Sequence, residues 1–253
     1  TEAAVKLIDE GNTIPFIARY RKEATGALND EQLRTLHERL TYLRNLEDKK
    51  AQVIASIEEQ GKLTPELRAE IEAAETMVLV DDLYRPYRPK RKTRATVAKD
   101  KGLEGLANII SLQMTSTPIR TEAEKYVSTE KGVETVDDAI AGAMDIIAEN
   151  ISDTADYRTK IRDLTTKKGF INTTAKDPDA ESVYEMYYNF SAPISKMTGY
   201  RTLAVNRGEK EKFITVKIEA PVDEIISYLR KKIIARDNSD TSEILDIVID
   251  DSY

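Results

Sequence analysis

The residue types best suited to bind another molecule are concentrated in one cationic segment, residues 84–101, which reads YRPYRPKRKTRATVAKDK. Its eight lysines and arginines accompany one acid, so it carries about +7 while the rest of the chain carries about −14. Pro86 and Pro89 predict an extended backbone, and Tyr84 and Tyr87 lie between the cations. Such a segment can follow a phosphate backbone and offer aromatic faces to bases. The candidate nucleic-acid contacts are Arg85, Arg88, Lys90, Arg91, Lys92 and Arg94.

The cationic segment also has a simpler interpretation. Runs of charge usually form solvated faces. The tyrosines would then pack on a helical bundle, and the cations would stay in water or pair with acids of a neighbouring domain. The sequence leaves both interpretations open.

A second candidate is a pair of helices followed by a short strand. An apolar helical stripe runs from Thr135 to about Asn150, a second helix is capped at Ser152 or Asp153, and residues 169–174 read as a strand. This order predicts a helix-turn-helix module with a small wing, with cations at the end of its second helix. Helical hairpins are common, however, and the acids of the first helix would repel phosphates. The candidate contacts here are Lys167 and Lys168.

Catalytic chemistry has little support in the sequence. His37 is the only histidine, and it lies at the edge of an apolar helical stripe, which predicts a partly buried packing role. The chain has no cysteine, nucleophile elbow, glycine-rich phosphate loop or calcium-loop spacing. We therefore expect no enzyme activity, no metal, no cofactor and no small-molecule substrate.

A long helix at about residues 30–60 must position these candidates. Asn29 and Gln32 form a capping pair before it, and Gly61 provides its end. At 1.5 Å per residue its apolar stripe extends over roughly 45 Å. We expect other helices to lie along it in a mainly α, multi-helix bundle. The stripe comprises Leu33, Leu36, Leu40, Leu43, Leu46, Val53, Ile54 and Ile57.

The remaining segments predict helices with a small β element. Residues 95–112 and 181–190 read as helices, and residues 213–218 read as a strand. Residues 201–207 fit either a helix or the first strand of a hairpin. A further helix covers about residues 225–234. The acidic tail from Asp237 predicts a helix whose partner lies outside the chain.

Composition describes a soluble protein of a reducing compartment. The 253 residues are 40% hydrophobic and 33% charged, without cysteine or an apolar run long enough to span a membrane. These features favour the cytoplasm. Because the chain starts at Thr1 with a helical pattern, we expect it to be a trimmed fragment.

Several blocks of the chain resemble the Tex family of bacterial transcription accessory proteins. They are IPFIARYRKEATGAL, NDEQLRTLHERLTYLRNLEDKK, SIEEQGKLTPEL, DDLYRPYRPKRKTRA and TLAVNRGEKE, and the resemblance covers residues 5–234. It implies an N-terminal helical region that precedes RNase-H-like, helix-hairpin-helix and OB-fold RNA-binding domains. The family also resembles a eukaryotic elongation factor that acts as a histone chaperone.

The resemblance implies a transcription accessory protein that binds RNA or DNA, mainly through the downstream domains. The alternative is a structural module that docks those domains or RNA polymerase without binding nucleic acid itself. The expected domains are a bundle at residues 1–130, a helix-turn-helix-like part at 131–191 and a segment at 192–253. Residues 201–207 would be helical, and Tyr200 replaces the family's usual histidine. The family-motif residues expected to be structural are Pro15, Phe16, Arg19, Tyr20, Arg21, Arg201, Arg207 and Gly208.

Overall fold

Most of the chain is helical, which confirms the expected mainly α class. The computed structural model describes residues 1–235 and 239–253, and the chain divides into two compact units, Thr1–Tyr87 and Arg88–Tyr253. The helices of unit 1 are α1 (Glu2–Asp9), α2 (Ile14–Tyr20), α3 (Lys22–Thr25), α4 (Asp30–Glu59), α5 (Pro65–Ala73) and α6 (Met77–Tyr84).

Unit 2 contains further helices and three strands. In chain order they are α7 (Arg94–Asp100), α8 (Glu104–Leu112), α9 (Ile119–Glu124), α10 (Val136–Asp153), α11 (Ala155–Lys168), β1 (Phe170–Ala175), β2 (Asn189–Pro193), α12 (Gly199–Lys210), β3 (Ile214–Glu219), α13 (Val222–Ile233) and α14 (Asp240–Ser252).

Helix α4 has the bounds that its capping residues predict. The Asn29 side chain accepts a hydrogen bond from the Gln32 backbone at 2.8 Å, and the Gln32 side chain accepts one from the Asn29 backbone at 3.0 Å. Just beyond the helix, Gly61 adopts a left-handed conformation with φ of 65°. A residue without Cβ is favoured there because other side chains are strained at positive φ.

The apolar stripe of α4 is covered only at its two ends. Leu33 packs with Ala4 and Ile17 in one small cluster, while Leu46 belongs to a second cluster with α5 and α6. Between them Leu43 is 41% exposed, and His37 is exposed. The expectation of a partly buried His37 is therefore wrong, whereas other helices do lie along α4 on both sides of this gap, as expected. The gap at Leu43 follows from helix length, because α1 and α2 span only about 12 Å and about 10.5 Å.

Unit 2 has one large core built around α10. This helix packs against α7, α8, α9 and α14, and its buried stripe includes Ala139, Ala143, Ile146 and Ile147. α13 contributes Ile225 and Leu229 to the same core. The small side chains on α10 allow neighbouring helices to approach closely, since a Cβ at Gly142 would lie 2.3 Å from Leu103 Cδ1.

A three-stranded antiparallel sheet lies beside this core. Its order is β2-β1-β3, which confirms the strands expected near residues 169–174 and 213–218. Residues 201–207 lie in α12, so the family expectation is confirmed and the hairpin is wrong. The helix expected at residues 181–190 is also wrong: Glu185–Tyr187 forms a 3-10 turn and β2 follows. The pairing of Phe190 with Thr173 in the ladder competes with a helix there.

Two further expectations need correction. The helix expected at residues 95–112 is two helices, separated by Gly102 with φ of 81°. The acidic tail does have a partner, since Leu245, Val248 and Ile249 of α14 are buried in the unit 2 core; Asp237 lies outside the described residues. The chain divides into its compact units at residue 87, and the expected domain boundaries at 130 and 191 stay predictions. β2 (Asn189–Pro193) crosses residue 191 and pairs with β1, which also pairs with β3.

In residues 1–235 and 239–253, no helix has the length and apolar character needed to cross a membrane.

Candidate nucleic-acid interface

The cationic segment is folded into turns and helix rather than extended. Tyr84 ends α6, Arg85–Tyr87 forms a 3-10 turn, and α7 begins at Arg94. Thr93 caps α7 with a reciprocal pair of hydrogen bonds to Thr96. Pro86 fits the tight turn because a proline at the start of a helical turn loses no hydrogen bond. Residues 88–93 and Lys101 lie outside helical structure, so the predicted extended conformation is wrong for most of the segment.

The two tyrosines of the segment pack within unit 1. Tyr84 Oη lies 2.9 Å from Ser56 Oγ of α4, and both tyrosine rings contact the cluster around Leu46. Gln60 Nε2 donates a hydrogen bond of 3.0 Å to the Tyr87 carbonyl. These rings are half-buried, so their faces are not offered to nucleic-acid bases.

Two cations in the part of the segment that belongs to unit 2 pair with acidic side chains of that unit. Lys90 Nζ lies 3.2 Å from Glu149 Oε1 of α10 and forms a second ion pair with Asp153, a buried carboxylate. Arg94 pairs with Asp145 Oδ1 of α10 at 3.3 Å and with Asp251 Oδ2 of α14 at 2.7 Å. The hydrogen bond to Asp251 raises the pKa of Arg94. These contacts agree with the simpler interpretation for these two cations.

Four other cations of the segment, Arg85, Arg88, Arg91 and Lys92, are exposed to solvent. Arg85 and Arg88 each have an interaction partner. For Arg91 and Lys92, the described part of the chain places no carboxylate within ion-pair distance. The structure therefore presents these two charges on a short loop whose flanking cations, Lys90 and Arg94, are held by α10 and α14.

The helix pair has the order of a winged module but a shorter turn. α10 and α11 meet at Thr154, which ends one helix and begins the other, whereas a helix-turn-helix usually has a turn of three or four residues. Lys167 is exposed, and Lys168 Nζ is paired with Glu224 Oε2 at 2.5 Å. Two of the acids expected to repel phosphates are in ion pairs, Glu149 with Lys90 and Asp145 with Arg94.

The family-motif residues near the N-terminus form an exposed aromatic cluster. Pro15 lies in the first turn of α2, and the Phe16 and Tyr20 rings are 5.3 Å apart. Arg21 Cζ lies 5.2 Å from the Phe16 ring centre. Tyr20 is 65% exposed and Arg19 is also exposed. Ile17, rather than Phe16, is the fully buried anchor of α2.

The second group of family-motif residues lies on α12. Arg201 Cζ is 5.9 Å from the Phe190 ring centre and 5.8 Å from that of Tyr200. Arg207 is exposed in the last turn. Gly208 is buried where a Cβ would come within 3.0 Å of Ile214 Cδ1. The close packing of α12 on β3 therefore explains the glycine at this position.

One cationic feature was missed by sequence reasoning. Arg158 and Arg162 of α11 line a cavity of about 450 Å³ in unit 2. Their spacing of four residues on a predicted helix could have indicated a shared face. Among the described residues, no three histidines, aspartates or glutamates are grouped closely enough to hold a metal ion.

These features define a mainly α scaffold with exposed cationic and aromatic surfaces. Residues 1–58 match the model of the Tex-like protein N-terminal domain, and residues 114–243 match the Tex central region-like model. The chain belongs to the Tex family, which confirms the resemblance.

Similar proteins come from bacteria and from human. The chain is 48% identical to the uncharacterized protein YdcI of Bacillus subtilis over 255 residues, which is 100% of this chain and 36% of that protein. It is 40% identical to the transcriptional accessory protein Tex of Neisseria gonorrhoeae, covering 88% of this chain and 29% of that protein. It is 30% identical to the human S1 RNA-binding domain-containing protein 1, covering 85% of this chain and 22% of that protein. The chain thus spans about a third or less of these relatives.

Proposed function

We propose that this chain is the helical scaffold of a transcription accessory protein and supplies an accessory surface that binds nucleic acid. The names of two relatives support this role, one a transcriptional accessory protein and the other an S1 RNA-binding domain-containing protein. The observation that carries the proposal is the pair of exposed cations Arg91 and Lys92.

The fixed loop makes these two cations suitable phosphate ligands. Lys90 and Arg94 on either side form ion pairs with α10 and α14 within unit 2, so the loop between them is ordered before binding. A preordered site loses less conformational entropy when its ligand binds. Arg91 and Lys92 are then available to replace the counterions of a phosphate backbone.

The interface should contact phosphates rather than read bases. Tyr84 and Tyr87, which could have stacked on bases, are committed to packing in unit 1. Lys167 at the end of α11 is a further phosphate contact in this proposal. Because phosphate contacts carry no sequence information, we expect binding that depends strongly on salt and weakly on sequence.

A double charge reversal tests this interface. Arg91→Glu with Lys92→Glu should weaken binding to a fluorescein-labelled single-stranded RNA by about tenfold or more at a salt concentration of about 50 mM. Fluorescence anisotropy measures the affinity. Both side chains are exposed, so the fold should remain, which circular dichroism checks.

Lys6→Glu with Lys62→Glu is the matched control. It makes the same change in net charge at two exposed cations of unit 1 outside the segment. If the two double variants lost RNA affinity equally, the change in net charge alone would explain the loss, and the proposed interface would be contradicted. Unchanged affinity after reversal of Arg91 and Lys92 would contradict it as well.

A second candidate function is the docking of protein domains or of RNA polymerase. The exposed Leu43 in the middle of α4 and the exposed Tyr20 on α2 favour it, since exposed large apolar side chains occur at protein interfaces. Leu43→Ser would weaken capture of RNA polymerase, or of the downstream part of a full-length relative, in a binding assay. Capture that is unchanged by Leu43→Ser and by Tyr20→Ser would contradict this function.

Both functions place the protein in the cytoplasm and need no catalysis by this chain. They rest on binding surfaces, and the proposed partners are nucleic acid, downstream domains and polymerase. Metal-dependent cleavage of RNA or DNA by the purified chain would overturn the non-enzymatic part of the proposal.

A further inference from the structure

A groove of about 370 Å³ lies between α10 and α14 in unit 2. Each helix lines it with residues three or four positions apart, which share one helical face. One acid and two apolar side chains come from each helix: Asp137, Ile140 and Met144 from α10, and Asp240, Ile244 and Ile247 from α14. On both helices the acid comes first along the chain and the apolar residues follow.

The two helices run in the same direction along the groove. Arg94 pairs with Asp145 of α10 and with Asp251 of α14, so these two later turns are adjacent. Asp137 and Asp240 both line the groove, so the first turns of the two helices are adjacent as well. The groove therefore has an acidic end, and its aliphatic side chains lie toward the other end.

The aliphatic part of the groove is open to a ligand. Ile247 is 59% exposed, and Ile140, Met144 and Ile244 are half-buried where they pack against the unit 2 core. Together they form an apolar strip on the surface, and such strips occur where proteins bind other proteins. Aliphatic side chains of a partner would bind there favourably because the contact removes apolar surface from water.

The acidic end of the groove already binds one guanidinium group. Arg120 of α9 lines the groove, and its Nη1 donates a hydrogen bond of 2.8 Å to Asp137 Oδ1. Asp240 and Glu243 add two exposed carboxylates, and within residues 1–235 and 239–253 neither of them forms an ion pair. With three acids and one arginine, the groove carries a net charge of −2.

Helix capping explains only part of this arrangement. Asp240 and Glu243 lie in the first turn of α14, where the helix dipole favours negative charge. The dipole does not account for the exposed Ile247, which follows on the same face of the helix. The combination of an acidic end with an apolar strip is typical of a surface that binds an amphipathic segment.

We propose that this groove binds a basic amphipathic helix of a partner protein, with aliphatic side chains on the apolar strip and lysines or arginines on Asp240 and Glu243. Side chains three and four positions apart on such a helix match the spacing of the groove. Charge complementarity selects a cationic partner. The same carboxylates repel phosphates, so this site is separate from the proposed nucleic-acid interface at Arg91 and Lys92.

A labelled peptide tests the acidic end. The probe is a short fluorescein-labelled helical peptide of leucine and lysine, with leucines three and four positions apart, titrated with this chain and followed by fluorescence anisotropy. Glu243→Lys should weaken its binding by about tenfold, since it replaces an attractive contact by a repulsive one. Glu209→Lys on α12 is the matched control, because it makes the same charge change at an exposed glutamate outside the groove. The control should bind the peptide nearly as the original chain does.

A second pair of variants tests the apolar strip. Ile247→Ser should weaken binding of the same peptide, whereas Ile218→Ser on β3 should not, although both isoleucines are 59% exposed. Circular dichroism checks that all four variants keep the fold. The proposal is overturned if the lysine peptide does not bind, if either groove variant loses no more affinity than its control, or if a peptide with glutamate in place of lysine binds equally well. The assay contains no nucleic acid, so a negative result bears on the groove alone.

Discussion

The two units bury their apolar residues in different ways. Unit 1 divides its buried side chains between two small clusters at the ends of α4, with the exposed Leu43 between them. Unit 2 collects most of its helices in one large core around α10, and a smaller cluster of Tyr187, Val205 and Ile214 joins α12 to the sheet. A long apolar stripe on one helix is therefore not enough to form a continuous core. Short neighbouring helices cover only the ends of the stripe on α4, whereas α10 has a neighbour on every side of its stripe.

Some cations of the molecule are held in ion pairs, and others are available to bind a ligand. In unit 2 the acids of α10 bind Lys90 and Arg94, and these contacts fix the loop that carries Arg91 and Lys92. In unit 1 the exposed side chains include the large aromatic and apolar ones of Phe16, Tyr20 and Leu43. We therefore expect charge-driven binding in unit 2 and protein docking in unit 1.

Truncation in the unit 2 core should have the largest effect. Ile146→Ala removes a fully buried side chain next to several helices and should lower the free energy of unfolding by about 2–5 kcal/mol. Ile247→Ala makes the same chemical change at an exposed position of α14 and should cost less than about 1 kcal/mol. Urea denaturation followed by circular dichroism measures both, and equal effects would contradict a core centred on α10.

Two leucines on α4 test the gap between the clusters of unit 1. Leu46→Ala should cost about 2–3 kcal/mol, since Leu46 is buried in the second cluster. Leu43→Ala should cost less than about 1 kcal/mol because Leu43 is 41% exposed. Thermal unfolding of the two variants gives the comparison. A Leu43 variant as destabilised as the Leu46 variant would show that the middle of α4 is covered.

Replacement of Lys90 should lower the stability of the protein more than replacement of a surface lysine usually does. Lys90→Ala leaves Glu149 and the buried Asp153 without this cation, and we expect a loss of about 1–3 kcal/mol. Lys92→Ala, two residues away, should change stability by less than about 0.5 kcal/mol. Chemical denaturation of both variants checks this, and equal stability of the two would mean that the ion pairs of Lys90 do not hold the loop.

Removal of the N-terminal cap of α10 should lower the free energy of unfolding by a smaller amount, and this loss should depend on pH. The Thr135 hydroxyl donates a hydrogen bond of 2.8 Å to Asp138, which lowers the pKa of that carboxyl. A lowered pKa in the folded state stabilises the protein above the ordinary carboxyl range, and this contribution is lost as the pH falls through the folded pKa. Thr135→Ala should cost about 1 kcal/mol at neutral pH.

The difference between the original chain and Thr135→Ala should therefore shrink in acid, below a pH of about 4. Unfolding curves at neutral and acid pH measure it. Thr159→Ala on the exposed surface of α11 is the control and should show no such dependence. A difference that stays constant with pH would assign the stabilisation to the backbone cap alone.

Local signals in the sequence predicted the helices well. The capping pair of Asn29 and Gln32 set the start of α4, and Gly61 marked its end, because the residues that decide these boundaries are neighbours in the chain. The helix expected at residues 181–190 failed because Phe190 pairs with Thr173 across the sheet. Strand pairing between distant residues overrides local pattern.

The sequence predicted which residues belong to the candidate site, but it did not predict how they are arranged in space. The sequence located the cations of residues 84–101, but only the fold shows that Lys90 reaches α10 and that Arg94 reaches α14, more than 150 residues later. The cavity lined by Arg158 and Arg162 was also not predicted from the sequence. Its other lining residues, Ile194, Ile218 and Leu229, are distant in the chain and come together only in the fold. Such groupings depend on tertiary packing.

The salt dependence of RNA binding tests the central claim most directly, namely that Arg91 and Lys92 contact phosphates. The logarithm of the affinity falls linearly with the logarithm of the salt concentration, by about 0.7 for each phosphate contact with single-stranded RNA. Replacement of both residues by glutamine should reduce this slope by about 1.4. An unchanged slope in that variant would contradict the claim and would assign binding to other surfaces.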